Sequence, residues 1–219
     1  MLASQLINSG FPTINLFDKA SFALRLMDEY DVCHLPVLSE ERWVGIINKD
    51  DLLDAESNAL LASLETSFQN ISIKGEEYFL SALKLIAENE LSLLPVINEQ
   101  AELLGVIRAN KLLQYLTVFL GNEEKGGIIV LETEKRNFSL GEINRLVETN
   151  DAFISQLNTY TEATTGLVVI TLKVNRIEIS DIVATFQRYD YVVRYYFGEE
   201  AYANELKENY NHLISYLNM

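Results

Sequence analysis

The side chains able to do acid–base or nucleophilic work are few and poorly spaced for it. The chain has one cysteine, Cys33, and two histidines, one of them the adjacent His34. This stretch reads as a strand, where neighbouring side chains point to opposite faces, so the two form no thiol–imidazole pair. Cys33 is expected in the interior and His34 along a cleft or the surface. One cysteine and two distant histidines give no zinc spacing. Asp50 and Asp51 stand near a helix start and diverge by about 100° around its axis, which does not suit a paired acid and base. No phosphate-binding loop, nucleophile elbow or dinucleotide fingerprint is present. Tyr189, Tyr191, Tyr195 and Tyr196 cluster near the end of the chain, where packing explains them more simply than catalysis. The reading therefore assigns no catalytic residue and no metal ligand.

The elements that must position these residues begin with 219 residues, enough for two domains with their own cores. A content of 48% hydrophobic and 22% charged residues excludes a disordered chain. Acidic residues number 32 against 17 basic, a net charge of −15. Such a field repels phosphate backbones and anionic lipid heads, so nucleic acid and membrane are excluded as partners. A single cysteine fits a reducing compartment. Met1 to Gly10 lacks the basic and apolar regions of a secretory leader. The apolar stretch Leu112 to Leu120 is interrupted by Gln114 and Thr117 and is too short to span a bilayer. A cytoplasmic protein is the expectation.

An internal repeat organises the first half. Leu35-Pro36-Val37-Leu38 returns as Leu94-Pro95-Val96-Ile97, 59 residues on, and Val44-Gly45-Ile46-Ile47 returns as Leu104-Gly105-Val106-Ile107, 60 residues on. Each copy reads β-α-β-β-α. Thr13-Ile14 and Ser72-Ile73 are short β-prone starts. Phe22, Ala23, Leu26, Met27 and Tyr30 form one helical stripe, with the N-cap near Asp18. Pro36 points to an edge position or an irregular start of its strand. A second helix begins near Asp50, and Leu52, Leu53, Leu60, Leu61 and Leu64 give it an apolar surface matched by Leu112, Leu113 and Leu116.

Pro-Val, a polar turn, apolar-Gly-apolar-apolar and a polar helix start, twice and in register, resemble the CBS domain, named after cystathionine β-synthase. The resemblance covers roughly residues 5–120 and implies two intertwined units with two clefts. CBS clefts often hold adenosine nucleotides, and CBS pairs often dimerise. In nucleotide-binding members Ser or Thr follows the glycine strand, then two variable residues, then Asp, whose carboxylate accepts from the ribose hydroxyls. The first copy has Asn48 for the hydroxyl and keeps the carboxylate as Asp51. The second has Arg108 and Lys111, and a lysine cannot accept a ribose proton. The resemblance thus implies one nucleotide site per chain, for AMP or ATP. Its ligand-binding residues would be Thr13, His34, Leu35, Pro36, Asn48 and Asp51. Arg108 would grip a phosphate or carboxylate.

Gly121 to Gly127 is polar and Gly-rich, a turn or short linker. The following segments read as strand, helix, strand, strand, helix, strand: Ile128 to Glu134, a helix capped by Ser139 with Glu142 closing a capping box, Ala152 to Glu162, Leu167 to Val174, a helix with Ile179, Ile182, Val183 and Phe186, and Tyr191 to Phe197. This is the ferredoxin-like order. After a CBS pair it resembles the ACT domain, a small-molecule sensing module. ACT domains often bind amino acids beside a glycine turn; here Phe138 stands where that glycine would be. A last helix, Ala201 to Leu217, carries Leu206, Tyr210, Leu213, Ile214 and Leu217 on one stripe. The expected fold is α+β: a CBS pair over 1–120 (copies about 5–64 and 65–120), a linker at 121–127, and an ACT-like domain with a terminal helix over 128–219.

This combination is similar to the acetoin-utilisation regulatory protein family. Two functions follow. One is a non-catalytic sensor that binds a small metabolite in the CBS clefts and relays its occupancy through the ACT-like domain or a partner. The other is an oligomerisation platform whose ligand sites have degenerated. A homodimer through the CBS pair is expected under either.

Overall fold

The computed structural model describes residues 1–198, so the helix expected over 201–217 lies outside the described residues. The chain divides into two compact units, Met1–Leu116 and Thr117–Met219.

In the first unit both copies fold as the repeat implies. The first holds β1 (Ile14–Asn15), α1 (Ala20–Tyr30), β2 (His34–Ser39), β3 (Arg42–Asn48) and α2 (Lys49–Leu53). The second holds β4 (Ile73–Lys74), α3 (Phe79–Glu88), β5 (Leu93–Ile97), β6 (Leu103–Arg108) and α4 (Ala109–Phe119). Each copy forms a three-stranded sheet with its middle strand between a parallel and an antiparallel neighbour. Helix α1 buries Ala20, Ala23 and Met27 and stops at Asp31, whose left-handed backbone (φ 52°) turns its N–H onto the Met27 carbonyl.

One local expectation is sharpened and three are corrected. The N-cap of α1, expected near Asp18, is the adjacent Lys19; Asp18 Oδ2 accepts from the Asn15 N–H at 2.7 Å and closes the turn before it. Strand β2 is central, not an edge. It tolerates Pro36 because its partner Ile46 turns its N–H and carbonyl away, to Gln69, so the pair is a non-hydrogen-bonded one. Helix α2 ends at Leu53, and Leu61 opens a separate 3-10 helix, Leu61–Ser67. Leu52, Leu61 and Leu112 are buried, while Leu53 and Leu113 are exposed. Cys33 is exposed and His34 buried, the reverse of the sequence expectation, because the buried face of β2 at its start meets the other copy.

The two copies are interlaced by their lead-in segments. Gln69, which precedes the second copy, pairs with Ile46 of the first; Asn8, which precedes the first, pairs with Val106 of the second. Ala3 and Ser4 donate to the carbonyls of Glu77 and Gly75, just as Leu61 and Ala62 donate to those of Asp18 and Leu16. The cores follow suit. Leu93 and Val106 join the first copy's core, and Ala3, Leu6 and Ile46 join the second's. Fully buried side chains of this size contribute about 1.5–3 kcal/mol each, so neither copy is complete without strands of the other.

The second unit contains β7 (Gly127–Thr133), α5 (Leu140–Glu148), β8 (Ile154–Thr161), β9 (Val168–Val174), α6 (Ser180–Arg188) and β10 (Val192–Phe197). The sheet order is β10-β7-β9-β8, antiparallel throughout, which is the ferredoxin-like arrangement. Ile143, Leu146 and Val147 of α5 and Ile182, Val183 and Phe186 of α6 pack with Ile129, Leu131, Ile170 and Leu172 of the sheet. Ser139 Oγ caps α5 by accepting from Glu142 N–H at 3.3 Å. Half of the expected capping box is diverted, because the Glu142 carboxylate accepts instead from the Tyr191 hydroxyl at 2.9 Å. Burial and this acceptor hold the Tyr191 phenol up at about 12. Among the described residues no helix is long and apolar enough to cross a membrane.

Candidate ligand site

The lead-in crossings build the walls of a cleft. Gly105 faces Val96 in the β5–β6 hairpin, with φ at 151°. A Cβ there would stand 2.8 Å from the Asn8 carbonyl oxygen, so only glycine lets the lead-in reach β6. Asn8 and Val106 then exchange two backbone hydrogen bonds, 2.8 and 3.2 Å. Gly45 does the same in the first copy, where a Cβ would lie 2.9 Å from Phe68 Cβ and 3.2 Å from the Gln69 oxygen. The glycine of each repeat is thus explained by the chain that crosses over it.

Between the lead-in and the start of α4 lies a cleft of about 430 Å³, bordered by Asn8, Ser9, Arg108, Asn110, Lys111 and Tyr115 among others. The half-buried Arg108 donates through Nη2 to the Tyr30 carbonyl at 2.9 Å and so also caps the C-terminal end of α1 across the two copies. It is therefore not a solvated surface residue, and this contact engages one nitrogen of its guanidinium. Lys111 Nζ donates to Gln114 Oε1 at 3.0 Å and lies 5.9 Å from the centre of the Tyr115 ring.

The corresponding positions of the first copy have the opposite charge: Asn48, Asp50 and Asp51 stand where Arg108, Asn110 and Lys111 stand in the second. Asn48 is the N-cap of α2, its carboxamide oxygen accepting from Asp50 N–H at 3.2 Å. Asp51 lies in the first turn, half-buried, and its carboxylate has no hydrogen-bond partner among the described residues. Lys49 is held by Asp28 at 2.5 Å.

His34, Leu35 and Pro36 are all buried. His34 Nδ1 accepts from the backbone N–H of Ser92 at 3.1 Å, while Ser92 Oγ accepts from Cys33 N–H at 3.0 Å. Ser92 is the repeat counterpart of Cys33, so this junction joins the two copies at equivalent points. Burial pushes the His34 imidazole below its ordinary value; Asp50 and Asp51 oppose that. The His34 side chain therefore serves the junction, and Leu35 is in the core. Only their backbone remains for a ligand. Thr13 sits just before β1, half-buried.

The structure thus adds Asn8, Ser9, Asn110, Lys111 and Tyr115 to the sequence-derived set. In the second unit, Lys135–Asn137 forms a 3-10 turn, and Phe138 packs on the core where a glycine would leave room for a ligand.

The family comparison now has its geometry. Residues 3–58 and 67–118 each match the CBS domain model. The chain is a tandem CBS-domain protein. The chain is similar in sequence to the inosine-5'-monophosphate dehydrogenase of Korarchaeum cryptofilum, 32% identical over 97 residues, 44% of this chain and 20% of that protein. It also resembles the homoserine O-acetyltransferase of Methanosphaerula palustris, 30% identical over 114 residues, 51% of this chain and 23% of that protein. The chain therefore spans about a fifth to a quarter of the curated relatives it matches. Among solved structures, a CBS domain pair/ACT domain protein from Thermotoga maritima is 23% identical with a TM-score of 0.50, covering 55% of this chain and 99% of that one. That likeness supports the fold of the CBS-domain protein and nothing finer.

Proposed function

We propose that this CBS-domain protein is a cytoplasmic, non-catalytic regulatory sensor. It binds an adenosine nucleotide, AMP or ATP, and relays occupancy through the second unit or a partner. CBS domains commonly bind adenosine ligands in regulatory roles. The observation that carries the reading is Asp51: a half-buried carboxylate at a helix start, without a protein partner among the described residues, beside Asn48 and the start of β2. A carboxylate so placed accepts two hydroxyl donors of a ribose diol. Among the described residues the clefts bring together no nucleophile with a base, which supports a binding role over a catalytic one.

The active form in this proposal is a homodimer. Leu53 and Leu113, repeat counterparts on α2 and α4, are 62% and 61% exposed and offer a matched apolar pair on one module. This contact also serves the second reading, an oligomerisation platform, which differs only in having no ligand.

The test is amide hydrogen exchange of the full chain with and without saturating AMP. The sensor reading expects slower exchange around 33–36 and 48–51 and altered exchange within 127–197. Change in the first region alone means binding without relay. No change in either overturns the proposal.

A further inference from the structure

We propose that the cleft between the lead-in and the start of α4 is a second binding site, selective for a small organic oxyanion and indifferent to ribose. It is independent of the nucleotide site at Asp51.

Charge is the first argument. The chain carries 32 acidic and 17 basic residues, yet among the described residues the cleft is bordered by Arg108 and Lys111 and by no Asp or Glu. Neither cation meets a carboxylate among the described residues. Arg108 donates to the backbone carbonyls of Tyr30 and Asp31, and Lys111 to the Gln114 carboxamide. Among the described residues no carboxylate neutralises either charge, and only one guanidinium nitrogen of Arg108 is engaged, by the carbonyls at the end of α1. Such a site attracts an anion in spite of the repulsive field of the whole chain.

Chemistry at one position then narrows the ligand. Lys111 occupies the place of Asp51 in the repeat. An ammonium has three donors and no acceptor, so it cannot hold a ribose diol but binds an oxyanion well. Asn8, Ser9 and Asn110 surround it with neutral hydrogen-bonding groups. Ile7, Val106 and Tyr115 supply a largely apolar side for an organic body. At about 430 Å³ the cleft is in the range of small-ligand sites. The ligand class is a metabolite with a phosphoryl or polycarboxylate head and a small body.

The test titrates the full-length protein with pyrophosphate, with citrate and with adenosine, following backbone amides by NMR. At least one anion should shift Asn8, Ser9 and Asn110 saturably, and added salt should weaken it steeply. Lys111→Gln should weaken that anion at least tenfold, and Asp51→Ala should leave it unchanged. Lys111 is exposed, so an unaltered melting temperature will show that its variant is folded. Phosphoryl and carboxylate heads are told apart by which probe binds. No saturable shift with either anion, or equal affinity in Lys111→Gln, overturns the proposal. Adenosine binding lost in Asp51→Ala, with no anion response, would leave the sensor reading standing and this one refuted; the opposite pattern refutes the sensor reading alone.

Discussion

Replacing Gly105 by Ala tests the interlacing of the two CBS copies. The new Cβ would lie 2.8 Å from the Asn8 oxygen, closer than real Cβ contacts come, at a backbone φ of 151°. Relief requires the lead-in to leave β6, breaking the two hydrogen bonds between Asn8 and Val106. Each contributes about 0.5–1.5 kcal/mol. The strained backbone adds about 1–3 kcal/mol. Together the loss is roughly 2–6 kcal/mol. For a unit of this size, each kcal/mol shifts the melting temperature by about 3–5 °C, so a fall of about 6 °C or more is expected. Circular dichroism melts give that number, and hydrogen exchange at Asn8 shows whether the lead-in has detached. Gly141→Ala is the control: nothing lies within 4 Å of its added methyl, so stability should hold or rise slightly. A Gly105→Ala protein that melts within 1 °C of wild type with Asn8 still protected would refute the crossing as a structural requirement.

Other consequences concern charge and assembly. Arg194 bonds Glu132 and holds both oxygens of Glu162 at 2.9 Å, which lowers the Glu162 carboxyl from 4.5 to about 2. A depressed carboxyl contributes stability above its unfolded value and loses it as pH falls. Unfolding of the second unit should therefore become easier from pH 4.5 down to about 2, and Glu162→Gln should flatten that window; superimposable profiles would be evidence against the ion pair. His34, lowered by burial, contributes through its neutral form above pH 6.5 and loses that contribution as pH falls further. An NMR titration should place its midpoint below 6.5, and a midpoint above it would mean that Ser92 does not hold the ring in the buried site. Leu53→Asp with Leu113→Asp should bring the mass in light scattering down to the 24.9 kDa of one chain; an unchanged dimer would move the interface elsewhere.

The repeat was legible because every element of it leaves a side-chain signature: the Pro-Val strand, the glycine strand and the helical stripe. The ferredoxin-like order was equally open to reading from the alternation of its strands and the Ile179, Ile182, Val183, Phe186 stripe. The lead-ins were not. Asn8 and Gln69 act through backbone groups, so their identity says nothing of where they pair. The signal lay in Gly45 and Gly105, which have no local turn to justify them and so had to be admitting another segment. Alternation along β2 separated Cys33 from His34 but not which face was inward, since that depends on Ser92 in the other copy. Lys111 is visible in the sequence as a departure from the family motif, where it means the loss of a ribose acceptor. Only the cleft around it, free of carboxylates among the described residues, shows the gain of a cation that the same substitution represents.

Calorimetric titration of the full chain with AMP tests the sensor most directly. The account predicts a saturable heat with one site per chain. Asp51→Ala, which removes a charge-assisted acceptor, should weaken it by about 1.5–3 kcal/mol, ten- to a hundredfold. Two equal sites, no heat at millimolar AMP, or an affinity untouched by Asp51→Ala would contradict it.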